Sequence, residues 1–128
     1  VRLLILVFLF FGLTGCNSSN IRQSVDPWWY DYVVDSHDSV DVIDVIRSYL
    51  TSGEIELAIT MKNNSSFEKQ YVKYKIEWFN DSGMPMKTIL SRWNTVSLLS
   101  NQVQTFSAVS PGNKAANFRI SINQADGN

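Results

Sequence analysis

The 128-residue chain has one cysteine, one histidine, three prolines and six glycines, and each shortage removes a class of protein. A single cysteine excludes a disulfide within the chain, so no cystine framework can substitute for a packed core. His37 has no second soft ligand beside it once Cys16 is otherwise engaged, which leaves no zinc or copper set. A catalytic histidine would also need a nucleophile and an orienting acid, and no pattern nominates either; His37 is expected in a solvated loop. Gly53, Gly83 and Gly112 are isolated and sit among turn residues, so there is no glycine-rich phosphate loop. Neither charge sign dominates, with 11 basic and 12 acidic side chains, and no basic cluster suits nucleic acid.

What is present begins at the first residues. Arg2 is followed by the apolar run Leu3 to Phe11, and small and apolar residues then lead to Leu13, Thr14, Gly15 and Cys16. The run is too short to span a bilayer, which takes roughly 20 apolar residues, and Asn17, Ser18, Ser19 and Asn20 follow at once. The order of charge, apolar run and small residues is that of a cleaved export signal. The four residues ending in Cys16 are those a lipoprotein peptidase requires: the thiol takes a diacylglyceryl group, Gly15 leaves room at the scissile bond and Leu13 fills an apolar subsite. Residues 1–15 are therefore expected to be removed and Cys16 to be lipidated. The 113 residues that remain are enough for one domain with a modest core.

Residues 16–40 read as a flexible tether. Asp26, Asp31, Asp35, Asp38, Asp41 and Asp44 recur with no basic residue among them, and few such positions can be buried. Asp35, Asp38, Asp41 and Asp44 invite a calcium site, but the alternating ligands, central glycine and terminal glutamate of a calcium loop are missing. No metal or other cofactor is expected. Within the tether lie Trp28, Trp29, Tyr30 and Tyr32, directly after Pro27. They are candidates for contact with a protein partner or with sugar rings of the envelope; they could equally sit among lipid headgroups or pack on the chain's own domain.

From residue 41 to 128 the pattern is period-two alternation broken by turn residues, which predicts antiparallel strands. Ile55, Leu57, Ile59 and Met61 share one face of a strand over Glu54–Met61, with Glu56 and Thr60 on the other. Glu54 and Glu56 on that wet face serve solubility and not acid–base chemistry. Thr51, Ser52 and Gly53 join this strand to Val42–Leu50 as a hairpin. Val72, Tyr74, Ile76 and Trp78 alternate with charged residues over Tyr71–Phe79. Asn80 to Gly83 turn into a short strand at Met84–Thr88, where Pro85 implies a sheet edge. Thr95–Leu99 and Val103–Val109 are expected to pair across Ser100 to Gln102, and Asn117–Ile122 is the last strand. Trp78 and Trp93 read as core or sandwich-edge residues. Seven short strands and no convincing helix predict an all-β, immunoglobulin-like antiparallel β-sandwich.

The segment Tyr74-Lys75-Ile76-Glu77-Trp78-Phe79-Asn80-Asp81-Ser82-Gly83-Met84 resembles the Tyr-x-Phe-x-Trp-Tyr-Asp stretch, with glycine shortly after, of the YcfL-like bacterial lipoproteins. The lipid-attachment signal, Asn63 before a serine-rich loop, and the terminal Phe118-Arg119-Ile120 strand agree with it, so the likeness spans about Ile43 to Ile122. It implies an immunoglobulin-like sandwich on a periplasmic lipoprotein and carries no mechanism, because the function of that family is unknown.

The expectation from sequence is a non-enzymatic binding or adaptor module. It would be held in the outer membrane by its lipid, face the periplasm, and contact an envelope protein first and peptidoglycan second; the alternative is a periplasmic glycan or small-ligand binder using the Trp/Tyr cluster. Asn17, lacking the charge of the aspartate linked to inner-membrane retention, supports outer-membrane placement. A free edge strand would favour a protein partner by strand addition, and a deep aromatic pocket would favour a ligand.

Overall fold

The computed structural model describes residues 26–89 and 91–126; the signal segment, Cys16 and Asn17 to Asn20 lie outside the described residues. The alternating apolar residues build two sheets from seven strands: β1 (Val33–Asp35), β2 (Val40–Tyr49), β3 (Ile55–Asn63), β4 (Gln70–Asn80), β5 (Asn94–Leu98), β6 (Val103–Val109) and β7 (Ala115–Gln124). One sheet has the order β1-β7-β4-β5 and the other β2-β3-β6. Ile55, Leu57, Ile59 and Met61 of β3 are each 1 % exposed or less. Across the interior they meet the inward row of β4 and β7, where Trp78 lies opposite Phe118, Ile76 opposite Ile120 and Tyr74 opposite Ile122. A one-residue slip in this register would turn the whole row to solvent, so burial fixes the pairing.

The order of the sheets is immunoglobulin-like when β2 to β7 are read as strands A, B, C, C′, E and F, with A-B-E on one side and C′-C-F on the other. The place of the last strand of such a sandwich is taken from the opposite end of the chain. β1 lies beside β7 and pairs with it in parallel, Val33 opposite Ile120 and Asp35 opposite Ile122.

Several expectations are corrected here. The segment assigned to a tether up to residue 40 is folded from Trp29 onward, with Trp29 in the core and β1 in a sheet. The sandwich is antiparallel except for that one pairing. Met84–Thr88 is not a strand but a single bridge between Phe79 and Pro85, with the Met86 N–H bonded to the Trp78 carbonyl at 2.8 Å; Pro85 has no N–H with which to extend a ladder. The count of seven therefore holds with a different membership.

β5 and β6 do not form a hairpin, because the chain crosses between sheets at residues 99–102. Asn101 adopts φ +58°, and the Gln102 side-chain oxygen accepts the Leu99 N–H at 2.7 Å. Asn63, wholly buried at the end of β3, ties this corner together. Its side-chain amide donates to the carbonyls of Glu68, Leu98 and Leu99 at 2.9, 3.1 and 3.0 Å, and its oxygen accepts the Ser65 N–H at 2.9 Å. At the opposite end the β2–β3 hairpin turns through Gly53 at φ +93°, a conformation that L side chains rarely adopt.

Candidate functional site

The aromatic segment is bent by two backbone bonds, from the Tyr30 N–H to the Pro27 carbonyl at 3.0 Å and from the Tyr32 N–H to the Trp29 carbonyl at 2.9 Å. The 3-10 turn at Tyr30–Tyr32 divides the four rings. Trp29 enters the core, and Tyr32 stacks on Phe118 with centroids 5.0 Å apart. Trp28 meets Phe118 edge-on at 6.3 Å and carries the Arg47 guanidinium 4.7 Å above its ring. Tyr30 points outward and is 59 % exposed. Two of the four rings thus serve packing, and Trp28 and Tyr30 reach the surface on the flank where the edges of the two sheets, β1 and β2, come together.

Two grooves run along that flank. The larger, about 670 Å³ and open to solvent, is lined by Tyr30, Val34, Asp35, Asp41 and Ile43 among others. The smaller, about 400 Å³, continues along β2 past Asp44, Ile46 and Arg47 to Trp28. Asp41 to Ile43 of β2 thus line the larger groove and Asp44 to Arg47 the smaller. β2 is the outer strand of its sheet, and Ile43, Ile46 and Tyr49 are exposed along it. These residues were missed as candidates. Their signal was present in Val40-Asp41-Val42-Ile43-Asp44-Val45-Ile46, where apolar side chains occupy both faces of a strand that needs only one of them for the core.

Both charge signs meet on this flank: Asp41 lies opposite Lys62 in the β2–β3 register, and Asp44 lines the smaller groove together with Arg47. The Asp35 carboxyl is pushed above its ordinary value, first by desolvation in the groove and also by repulsion from Asp41; backbone N–H groups of His37 and Val42 bonded to it offset part of the shift. The His37 N–H lies 2.9 Å from an Asp35 oxygen. Asp41 accepts the Asn64 side-chain amide at 2.6 Å. Among the described residues the ion pairs are Lys75–Glu77 and Arg119–Glu77, both 2.7 Å and both on the other sheet; Asp41 has Lys62 as its cross-strand neighbour without a direct ion pair. Lys75 and Lys73 lie over the Trp93 ring at 4.9 and 5.5 Å, which places these two basic side chains on the face of that second sheet.

His37 is not the solvated loop residue expected. It is buried at 7 % exposure; Nδ1 accepts the N–H groups of Ser39 and Val40 at 3.0 and 3.1 Å, and Nε2–H donates to the Tyr71 carbonyl at 3.2 Å. This set requires the neutral Nε2–H tautomer. The ring joins the turn after β1 to the start of β2 and to β4. His37→Ala leaves the Ser39 and Val40 N–H groups without their acceptor, while the Tyr71 carbonyl keeps the Ala125 N–H at 3.1 Å, and is expected to cost about 1–3 kcal/mol, read from the urea unfolding midpoint. No group of three His, Cys, Asp or Glu side chains among the described residues is placed to hold a metal ion, and none of their helices is long and apolar enough to cross a membrane.

The fold and site define a small β-sandwich domain with an open, partly apolar edge. The chain belongs to the family described as protein of unknown function DUF1425, whose model matches residues 33–124, from the first residue of β1 to the last of β7. Two solved structures are similar. A member of that family from Shewanella sp. pv-4 is 24 % identical with a TM-score of 0.60, over 70 % of this chain and 81 % of its own. The Campylobacter jejuni protein cj0090 is 17 % identical with a TM-score of 0.62, over 74 % of this chain and 99 % of its own. At these identities the likeness concerns the fold alone. No curated protein matches the chain.

Proposed function

We propose that this protein is a lipid-anchored envelope lipoprotein whose sandwich is a non-enzymatic binding module for another envelope protein, held in the outer membrane and facing the periplasm. The sequence Leu13-Thr14-Gly15-Cys16 and the resemblance to YcfL-like lipoproteins support the anchor. The observation that carries the binding role is the free edge of β2, bordered along residues 41–47 by open grooves and flanked by exposed Tyr30, Ile43 and Ile46. A free, partly apolar edge strand is a template for pairing with another chain. Shallow open grooves suit such a strand better than they suit a small ligand, most of whose surface must be enclosed.

Two experiments test the reading. Cys16→Ser should abolish palmitate incorporation and leave an unprocessed precursor; unchanged labelling would contradict the anchor. A photocrosslinking residue in place of Tyr30 or Ile46 should capture an envelope protein in cells, whereas one in place of Lys73 should not. Capture of peptidoglycan fragments instead would favour the glycan reading and overturn this one.

A further inference from the structure

The sandwich has four outer strands, and three of them carry a device that limits what can pair there. Short strands, charged side chains and bulges are the usual means by which a sheet guards its edge. β1 has three residues and β5 five, while β2 carries Asp41, Asp44 and Arg47 and a register shift between Val42 and Asp44. β6 has none of these. Its seven residues, Val103-Gln104-Thr105-Phe106-Ser107-Ala108-Val109, include no charge, proline or glycine, and its register against β3 is unbroken. The bonds at the two ends of that pairing, from the Asn63 N–H to the Gln102 carbonyl at 3.0 Å and from the Ser110 N–H to the Ile55 carbonyl at 2.8 Å, fix its phase. Gln104, Phe106 and Ala108 bond to β3, so Val103, Thr105, Ser107 and Val109 turn their N–H and C=O groups to the open side. An uncharged strand left open in this way is an aggregation site, which argues that the native assembly covers it.

We infer that a second copy of this chain covers β6, antiparallel and about a two-fold axis at Phe106, joining two three-stranded sheets into one of six in the order β2-β3-β6-β6-β3-β2. The strand is complementary to itself in that register. Val103 meets Val109 of the second copy, Thr105 meets its Ser107, and every outward backbone position of β6 finds a partner. The contact between the Thr60 and Thr105 hydroxyls, 2.9 Å long, extends to the facing Ser107, a stabilising kind of cross-strand pair. On the inner face Phe106, packed on the core with its ring 5.2 Å from that of Tyr74, meets its own mate. Charge selects the same arrangement. On β3, Lys62 lies beside Val103 and Glu56 beside Val109. Each outer row of the joined sheet therefore runs Lys62, Val103, Val109, Glu56, with opposite charges at its two ends, about 14 Å or three strand spacings apart. A parallel pairing would instead set Lys62 toward Lys62 and Glu56 toward Glu56. The inference goes beyond the binding-module reading and is independent of it, because both β2 edges stay open at the ends of the six-stranded sheet.

The test places a photocrosslinking residue at Ser107 of the full chain expressed in cells. The expected product is an adduct of twice the chain's mass in which that position is joined to residues 104–106 of the other copy. Two double variants, both at exposed valines, then probe the register. Val103→Lys with Val109→Lys sets like charges opposite one another on both sides of the axis and should cut the adduct about tenfold. Val103→Lys with Val109→Glu sets opposite charges there and should retain the adduct within about twofold. Sedimentation of the unsubstituted full chain in detergent needs no variant and should show a dimer that dissociates on dilution. A monomer at every concentration, an adduct with a different protein, loss of the adduct in both variants or in neither, or links from Ser107 to Ser107 that mark a parallel pairing would each overturn the inference. None of these outcomes bears on crosslinks from Tyr30 and Ile46, so the binding module stands or falls separately.

Discussion

Trp78→Ala should lower the free energy of unfolding by about 3–5 kcal/mol, the range for deleting a buried large aromatic side chain. Trp78 is 2 % exposed on the central strand β4 and lies 6.1 Å from the Phe118 ring across the β4–β7 pair. Its removal leaves a cavity between the sheets that the surrounding β-branched side chains cannot collapse to fill, and those contacts are lost outright. Against a total stability of about 5–15 kcal/mol for a domain of this size, such a loss shifts the urea midpoint strongly and, at the low end, unfolds the protein. Trp93→Ala is the internal comparison. Trp93 is 41 % exposed at the sheet margin with lysine ammoniums over its ring, and its removal should cost no more than about 1 kcal/mol. Equal losses for the two tryptophans would contradict the placement of the core.

Asn63→Asp should be nearly as damaging and should carry a signature in pH. The side-chain amide of Asn63 faces three carbonyl oxygens, and the residue has no exposed surface. A carboxylate there would turn a donor into a buried anion pointed at acceptors, with a cost of about 3 kcal/mol or more. Burial and the facing carbonyls raise the pKa of such a carboxyl in the folded state above its unfolded value. The unfolded chain then releases its proton first, so the variant loses stability as pH rises through the ordinary carboxylate range and recovers part of it in acid. Unfolding midpoints compared at acidic and neutral pH check this. A variant equally stable at both would mean that the side chain is not enclosed as described. Asn63 matters beyond its own bonds, because it joins the end of β3 to the corner where the chain crosses from β5 to β6.

How much of this was legible in the sequence depended on whether a feature was local. Strands β2, β3, β4 and β7 are visible because burial on one face imposes alternation, and residues such as Ile55, Leu57, Ile59 and Met61 advertise it. β1 was not legible: Val33, Val34 and Asp35 sit in an aspartate-rich stretch, and what makes them a strand is the exposed edge of β7, more than eighty residues away. The same long-range origin hid the buried role of His37, whose ring is held by Tyr71 of another strand. The segment between β5 and β6 has turn-forming residues that suit a hairpin as well as a sheet-to-sheet corner. The distinguishing atoms belong to Asn63 and Ser65, which bond that corner from a distant part of the chain.

For the site, the aromatic cluster drew attention to the correct flank, but composition alone could not say that a 3-10 turn would send Trp29 and Tyr32 inward and leave Trp28 and Tyr30 at the surface. The aspartates looked like solvation of a tether. Once β1 and β2 are brought side by side, Asp35 and Asp41 become neighbours, and the surplus apolar residues Ile43 and Ile46 of β2 lie next to them. The acidic and apolar character of the edge is thus written in the residues, while their meeting is a product of the fold.

The most direct test of the proposed binding role is in-cell photocrosslinking from Ile46, at the middle of the free β2 edge, with the full-length chain expressed in cells. A discrete adduct with an envelope protein, lost when Ile46→Lys is combined with a crosslinker at Tyr30, is the result expected. An Ile46 crosslinker that yields no adduct, while one placed at Lys73 or Trp93 does, would contradict it and move the binding surface to the opposite sheet.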